Sequence, residues 1–254
     1  MTRHNVWSIV WVISIATLSL PAYAANRKTT VQVEHLTPGQ SSIGKAEAII
    51  RANAIESMTP DEQQEYLREH QLEVVTGPGQ KLHLVDGHHL AWALLELKKR
   101  GVMDAAAPAK VLGDYSQSTA PQFEKVLIRR NWVWLFDETD QPITVRQLPA
   151  QIAQLKDAPH RTLAWLLREE GCYDKSQTPF SDFAWASWLR QRIKLHTNHP
   201  ADIARAVLEA KAIAHEKSAE RLPGYLATHK QADHSSLTKK TKKRLASLEN
   251  TPVP

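Results

Sequence analysis

The chain has 254 residues with 32 Lys plus Arg, 27 Asp plus Glu, 12 His and one Cys, for a formal net charge of +5. That length buries a sizeable core in one domain or two, and a single cysteine excludes an internal disulfide framework and a cysteine-rich metal site. Residues 25–214 carry 23 Lys plus Arg against 23 Asp plus Glu, so the surplus lies in the last forty residues and composition gives the body no basic nucleic-acid face.

Residues 1–24 read as a secretory signal peptide: Arg3, an apolar run from Val6 to Leu20, and the small-residue site Ala22-Tyr23-Ala24. Export to the periplasm or beyond is therefore expected. The run is shorter than the roughly 20 apolar residues of a spanning helix, and the mature chain has no other candidate span. "TTVQVEHL" (Thr29 to Leu36) alternates as a half-buried strand does. Helices are predicted over Lys45–Ser57 and after Thr59, an N-cap followed by Pro60 and acids in the first turn. "LEVVTGPGQKLHLVDG" reads as a hairpin around Gly77-Pro78-Gly79, and His89–Lys99 as a helix with Leu90, Ala93, Leu94 and Leu97 in one stripe.

Beyond Gly101, "PAKVLGDYS" predicts a strand ending at Asp114 and Ser116, which either join a site or form a turn. "APQFEKVLIRRN" predicts a helix and "WVWLFDETDQPITVRQLP" a hairpin around Glu138 to Gln141. Helices are then expected in "PAQIAQLKD", "HRTLAWLLREEG", "PFSDFAWASWLRQRIK" and "PADIARAVLEAKAIAHEKSAERL", and a disordered basic tail over 223–254. The expected class is α+β: a small mixed-sheet unit over 25–116, then a helical extension over 117–222 packed on it.

Chemistry concentrates where the strand "LHLVD" meets the helix "HHLAWALLEL". The first amides of a helix lack internal partners and carry partial positive charge, so such a turn attracts phosphate or carboxylate. Gly87 allows close backbone approach. His88 and His89 can donate to an anion, move a proton near neutral pH, or bind a metal with Asp86. In the plain alternative, Asp86 caps the helix, Gly87 turns the chain, and the histidines are exposed first-turn residues. Cys172 reads as a small buried apolar residue.

The blocks "VEHLTPGQSSIGKAEAIIR" and "VVTGPGQKLHLVDGHHLAWALLELKKRGV", continuing to "PFSDFAWASWLRQRIK", resemble the ParB/sulfiredoxin superfamily, and more closely its ParB-like nuclease branch. The likeness runs from about Val31 to Lys194. It implies a compact α/β unit whose glycine turn holds a nucleotide or phosphate. The chain departs from that branch at Gly39, where threonine is usual, and at Gly87, where a histidine is usual. It has neither the cysteine of sulfiredoxin-like turns nor the arginine of partition-protein turns. The resemblance implies Gln40 and Arg51 as ligand-binding residues beside Gly87, with Asp86, His88 and His89 as the catalytic group.

Arg161 and Arg168, seven apart on one helix face, match phosphate oxygens in the manner of guanidinium forks, with ion pairing to Asp157, Glu169 or Asp182 as the structural alternative. Phe180, Phe183, Trp185 and Trp188 read as core more readily than as a stacking surface. The sequence and the resemblance thus point to a protein that binds a phosphate-containing small molecule or nucleic acid; if it is an enzyme, the resemblance implies hydrolysis of phosphoester bonds, as by a nuclease or nucleotide phosphohydrolase. A divalent metal of unknown identity is the cofactor this chemistry admits. The rival expectation is a non-catalytic anion- or peptide-binding module whose basic tail contacts an acidic surface.

Overall fold

In a computed structural model, the structure describes residues 27–175, 178–195, 197–227, 235–249, 251 and 253. The expected signal peptide lies outside the described residues. The chain begins with β1 (Arg27–Gln32), crosses by a 3-10 turn at Val33–His35 into β2 (Leu36–Pro38), and continues through the short β3 (Ser42–Ile43). The single strand predicted over Thr29–Leu36 is thus broken in two. Val33 donates its N–H to the Ala105 carbonyl at 2.9 Å, and the chain leaves one edge of the sheet for the other.

Helix α1 (Lys45–Glu56) and helix α2 (Pro60–Glu69) follow, the latter opened by Thr59 and Glu62 in a reciprocal capping box. The hairpin of β4 (Leu72–Thr76) and β5 (Leu82–Asp86) leads into α3 (His88–Lys99), then β6 (Ala106–Asp114) and α4 (Ala120–Arg129). The sheet order is β1-β6-β4-β5-β2, with β1/β6 and β4/β5 antiparallel and β6/β4 and β5/β2 parallel. Leu84, Val74 and Leu72 are fully buried beneath α1 and α3, where Ile49, Leu94 and Leu97 complete the same core.

Two predicted elements take other forms. The hairpin expected around Glu138–Gln141 is a turn closed by one bridge, Phe136 to Pro142, because the Asp137 carboxylate takes the N–H groups of Thr139 and Gln141, both at 2.8 Å. "PAQIAQLKD" yields a single 3-10 turn at Ile152–Gln154 and then β7 (Lys156–Asp157), which pairs with β3 in parallel. Its backbone is claimed by β3: Lys156 donates to the Ser41 carbonyl and Ala158 to that of Ile43.

The helical part comprises α5 (Pro159–Glu169), α6 (Ser181–Arg190) and α7 (Pro200–Ile213). α5 packs on α1, so sheet unit and helical part share one continuous core that includes Trp165, Trp185 and Trp188. Cys172 is buried within it, its thiol pushed up to about 12 by burial. The tail expected to be disordered is not so throughout: α8 (Lys239–Ala246) is capped by Thr238 and buries Leu245, and Leu248 just beyond it is buried too. A buried ion pair fixes it. Lys211, on α7, donates to Glu170 at 2.7 Å and to the Ser236 carbonyl at 2.7 Å, while Glu170 also accepts from the Thr238 hydroxyl at 2.7 Å. Charge counting does not reveal this, because the leucines that seat the helix, Leu237, Leu245 and Leu248, flank a run of basic and threonine residues.

Candidate functional site

The predicted strand, turn and helix form as expected, with Gly87 left-handed at φ +93° and its Cα facing Leu72, whose Cδ2 a Cβ would meet at 2.5 Å. Two conditions therefore demand glycine at this turn: backbone hand and close packing. Asp86 stands exposed, and its Oδ1 accepts the Gly87 N–H at 2.8 Å. A carboxylate already sits at the amide end of α3. That charge opposes a second anion at the turn where phosphate is expected.

The histidines are neither exposed nor open-mouthed. His88 is 5% exposed and its Nε2 accepts the Gly39 N–H at 3.0 Å. The Nε2 of His89, whose side chain is 15% exposed, accepts the Gly44 N–H at 3.2 Å. Adjacent helix positions project about 100° apart, yet both rings reach the 39–44 loop, which wraps around the start of α3. Each ring is consequently the neutral tautomer with its proton on Nδ1. Burial holds His88 down at about 4, against a smaller upward pull from Asp86, and burial together with Arg161 and Arg51 keeps His89 well below the ordinary range. These imidazoles hold a loop. With both Nε2 atoms engaged as acceptors, and no group of three His, Cys, Asp or Glu among the described residues placed to hold an ion, the donor set does not fit a divalent metal.

The loop is braced on its other side as well. Gln40 is buried and donates its amide to the Ser42 carbonyl at 2.7 Å, Ser41 donates to the Phe136 carbonyl at 2.8 Å, and the Gly39 carbonyl accepts from Trp134 at 2.9 Å. Gln40 is thereby a loop brace in this arrangement. A Cβ on Gly39 would lie 2.6 Å from the Trp132 carbonyl oxygen and 2.8 Å from that of Leu84. The departure from threonine at this position thus has a steric cause within the chain. Asp114 and Ser116 form a turn, Ser116 N–H to Asp114 Oδ1 at 2.9 Å.

Behind His89 lies a second group of charges, drawn from α1, α5 and α6. Arg51 and Glu47 are one helical turn apart, with Nη2 and Oε1 at 3.6 Å, and the Arg51 Nη1 donates to the Tyr66 hydroxyl at 2.7 Å. Arg168 pairs with Asp182 at 3.1 Å, the predicted structural alternative, and Asp182 also accepts from Tyr173 at 2.9 Å. Arg161 behaves otherwise. It is 7% exposed, its guanidinium carbon lies 3.6 Å from the Phe183 ring centroid, and its Nε and Nη1 have no hydrogen-bond partner among the described residues. Burial lowers its pKa, while the nearby Asp182 and Glu47 carboxyls act the other way.

Glu47 was not among the predicted residues, although an acid set among Ala46, Ala48, Ile49 and Ile50 was a visible signal. It is buried, and its Oε2 lies 3.3 Å from His89 Nε2. Desolvation raises it to about 7 despite the opposing charges of Arg51 and Arg161. Around the cluster stand three guanidinium groups against two carboxyls, one of them Glu47. The arrangement is cation-rich, and it opens to solvent at Arg51 and Arg168, whose side chains are part-exposed. The structure thus gathers His88, His89, Arg51, Arg161 and Arg168, and leaves Asp86 at the surface.

The family model described as "Putative ParB-like nuclease" matches residues 29–191. The crystal structure of protein Atu1540 from Agrobacterium tumefaciens is 30% identical and superposes with a TM-score of 0.70, covering 80% of this chain and 98% of its own. No curated protein matches.

Proposed function

Because the chain belongs to the ParB-like nuclease family, we propose that it binds a phosphate-containing ligand on the guanidinium groups of Arg51, Arg161 and Arg168. The observation that carries this reading is the buried Arg161 with two unpartnered nitrogens. An unsatisfied charged donor in the interior is costly, and phosphate oxygens match a guanidinium fork in geometry and charge. The amide end of α3, already served by Asp86, is not the binding surface in this reading.

Binding is better supported than hydrolysis, since the two histidines that a hydrolase would use are engaged with the backbone. A catalytic version has one observation in its favour, the Glu47 carboxyl held near neutrality by burial beside the same arginines. We also place this activity outside the cytoplasm, on the strength of residues 1–24, and localisation of the mature protein by cell fractionation tests that.

The binding reading is tested by melting the mature chain with inorganic phosphate, pyrophosphate, nucleotides and a short oligonucleotide. Saturation to 100 times Kd stabilises the native state by about 2.7 kcal/mol. Arg161→Met keeps an unbranched apolar side chain beside Phe183, removes the guanidinium and its charge, and is expected to abolish the ligand-induced rise while remaining folded. A wild-type chain indifferent to every anion, or a variant that responds as the wild type does, refutes the reading.

A further inference from the structure

Glu47 occupies an unusual place beside that group of arginines. His89 Nε2 has a single in-plane lone pair, and the Gly44 N–H already points at it from 3.2 Å. Glu47 Oε2 lies 3.3 Å from the same nitrogen. An ionised carboxylate there sets oxygen lone pairs against a nitrogen lone pair, with no proton between them. A protonated carboxyl removes that opposition and turns Oε2–H into a donor available to a ligand.

The charges facing Glu47 come from every element around it: Arg51 on its own helix, His88 and His89 on α3, Arg161 and Arg168 on α5, and Asp182 on α6. Tyr66 of α2 is bonded to Arg51, and Thr162 of α5 accepts the Glu47 N–H at 3.3 Å. Asp182 is already engaged by Arg168 and Tyr173. Glu47 is held by no hydrogen bond of comparable quality, its contact with Arg51 being 3.6 Å. It is therefore the carboxyl that an incoming anion displaces electrostatically.

Resting on the anion-binding reading above, we propose that Glu47 couples anion binding to proton uptake: it enters the complex as the protonated acid, so an anion that binds where Glu47 is otherwise ionised takes one proton from solvent. The ionised form competes with the ligand for the same three arginines, and the neutral form donates to it. No group leaves and no bond other than O–H forms; the buffer supplies the proton. Buried Glu47 titrates near neutrality, so the exchange falls within the working range of the protein.

Sulfate is the probe, because its charge is constant from about pH 6 to about pH 8.5, well above its own ionisation and across that of Glu47. Titration calorimetry of the mature chain should show sulfate affinity falling by up to about tenfold per pH unit above neutrality. Proton uptake, read from the dependence of the heat on buffer ionisation enthalpy, should approach one per sulfate at the alkaline end. Glu47→Gln, a permanently neutral isostere, should bind with affinity close to the acid limit of the wild type at every pH and take up no proton. Sulfate bound with flat pH dependence and no proton uptake by the wild type overturns the role of Glu47 while leaving the anion site in place. No sulfate binding even at the acid end, where Glu47 is neutral, overturns the anion site itself. Because the wild-type calorimetry decides alone, a Glu47→Gln chain that fails to fold does not rescue the proposal.

Discussion

Replacing His88 with alanine separates a structural histidine from a ligand-binding one. The substitution removes the acceptor of the Gly39 N–H, which His88 meets at 3.0 Å in a buried setting. An orphaned interior N–H costs about 1–3 kcal/mol, and the lost ring adds a cavity term of about 1–2 kcal/mol when the walls relax only in part. A total near 3 kcal/mol follows, which for a chain of this size lowers Tm by about 6–12 °C at roughly 2–4 °C per kcal/mol. His88→Gln keeps an oxygen acceptor on a side chain of similar reach and should cost less than half as much, about 1 kcal/mol. The assay is urea unfolding followed by the fluorescence of the buried tryptophans, with both variants and the wild type above pH 7. If His88→Ala is as stable as the wild type but has lost anion binding, the ring serves a ligand and the assignment as a loop holder is wrong.

Three further outcomes follow from the same packing. Gly39→Thr, which installs the residue usual in the resembling branch, should destabilise by about 2 kcal/mol or more, because its Cβ meets two backbone carbonyls that have no rotamer to change; unfolding midpoints unchanged from wild type contradict this. Burial of histidines sets the acid response: His88, and the half-buried His83 of β5 packed edge-on to Phe123, titrate at about 4 when folded, against about 6.5 unfolded. Their stabilisation is complete above pH 6.5 and is lost as pH falls towards 4, at about 3 kcal/mol for His88. Glu47, at about 7 when folded, works in the opposite sense, stabilising most below its unfolded value and losing this as pH rises to 7. With more histidines than acids in this position, urea midpoints should fall on acidification from pH 6.5, and a level profile down to pH 5 argues against buried neutral rings. Lys211→Ala strands Glu170, 0% exposed, without its cation; it should cost about 3–5 kcal/mol and speed proteolytic loss of α8, whereas wild-type resistance refutes the clasp.

Local order was largely legible in the residues. The Thr59-Pro60 start, the Gly77-Pro78-Gly79 turn and the stripe of α3 appear where spacing and capping place them, because each depends on interactions within a few positions. The destination of the histidine rings was not legible. Their partners, Gly39 and Gly44, lie 49 and 45 residues earlier, and nothing in a D-G-H-H tetrapeptide tells an acceptor of buried amides from a donor to solvent anions. The same holds for "PAQIAQLKD", whose helical composition gives way to strand pairing with β3, and for α8, where lysine-rich composition masked leucines at helical spacing. Arg161 and Arg168 stand as equivalents seven apart in the sequence, but tertiary context pairs Arg168 directly with Asp182 and stacks Arg161 on Phe183, with the Asp182 and Glu47 charges nearby.

The clasp between Lys211 and Glu170 also fixes when the molecule can finish folding. Leu237, Leu245 and Leu248 belong to the main core, and the carbonyl that completes the lysine's coordination belongs to Ser236. While the chain is still emerging from a ribosome or a translocation pore, those groups are missing, and both charges must stay hydrated. Final closure of the helical half therefore waits until the chain through Leu248 has emerged. Until then the tryptophan-rich interior is open to holdase chaperones and to proteases.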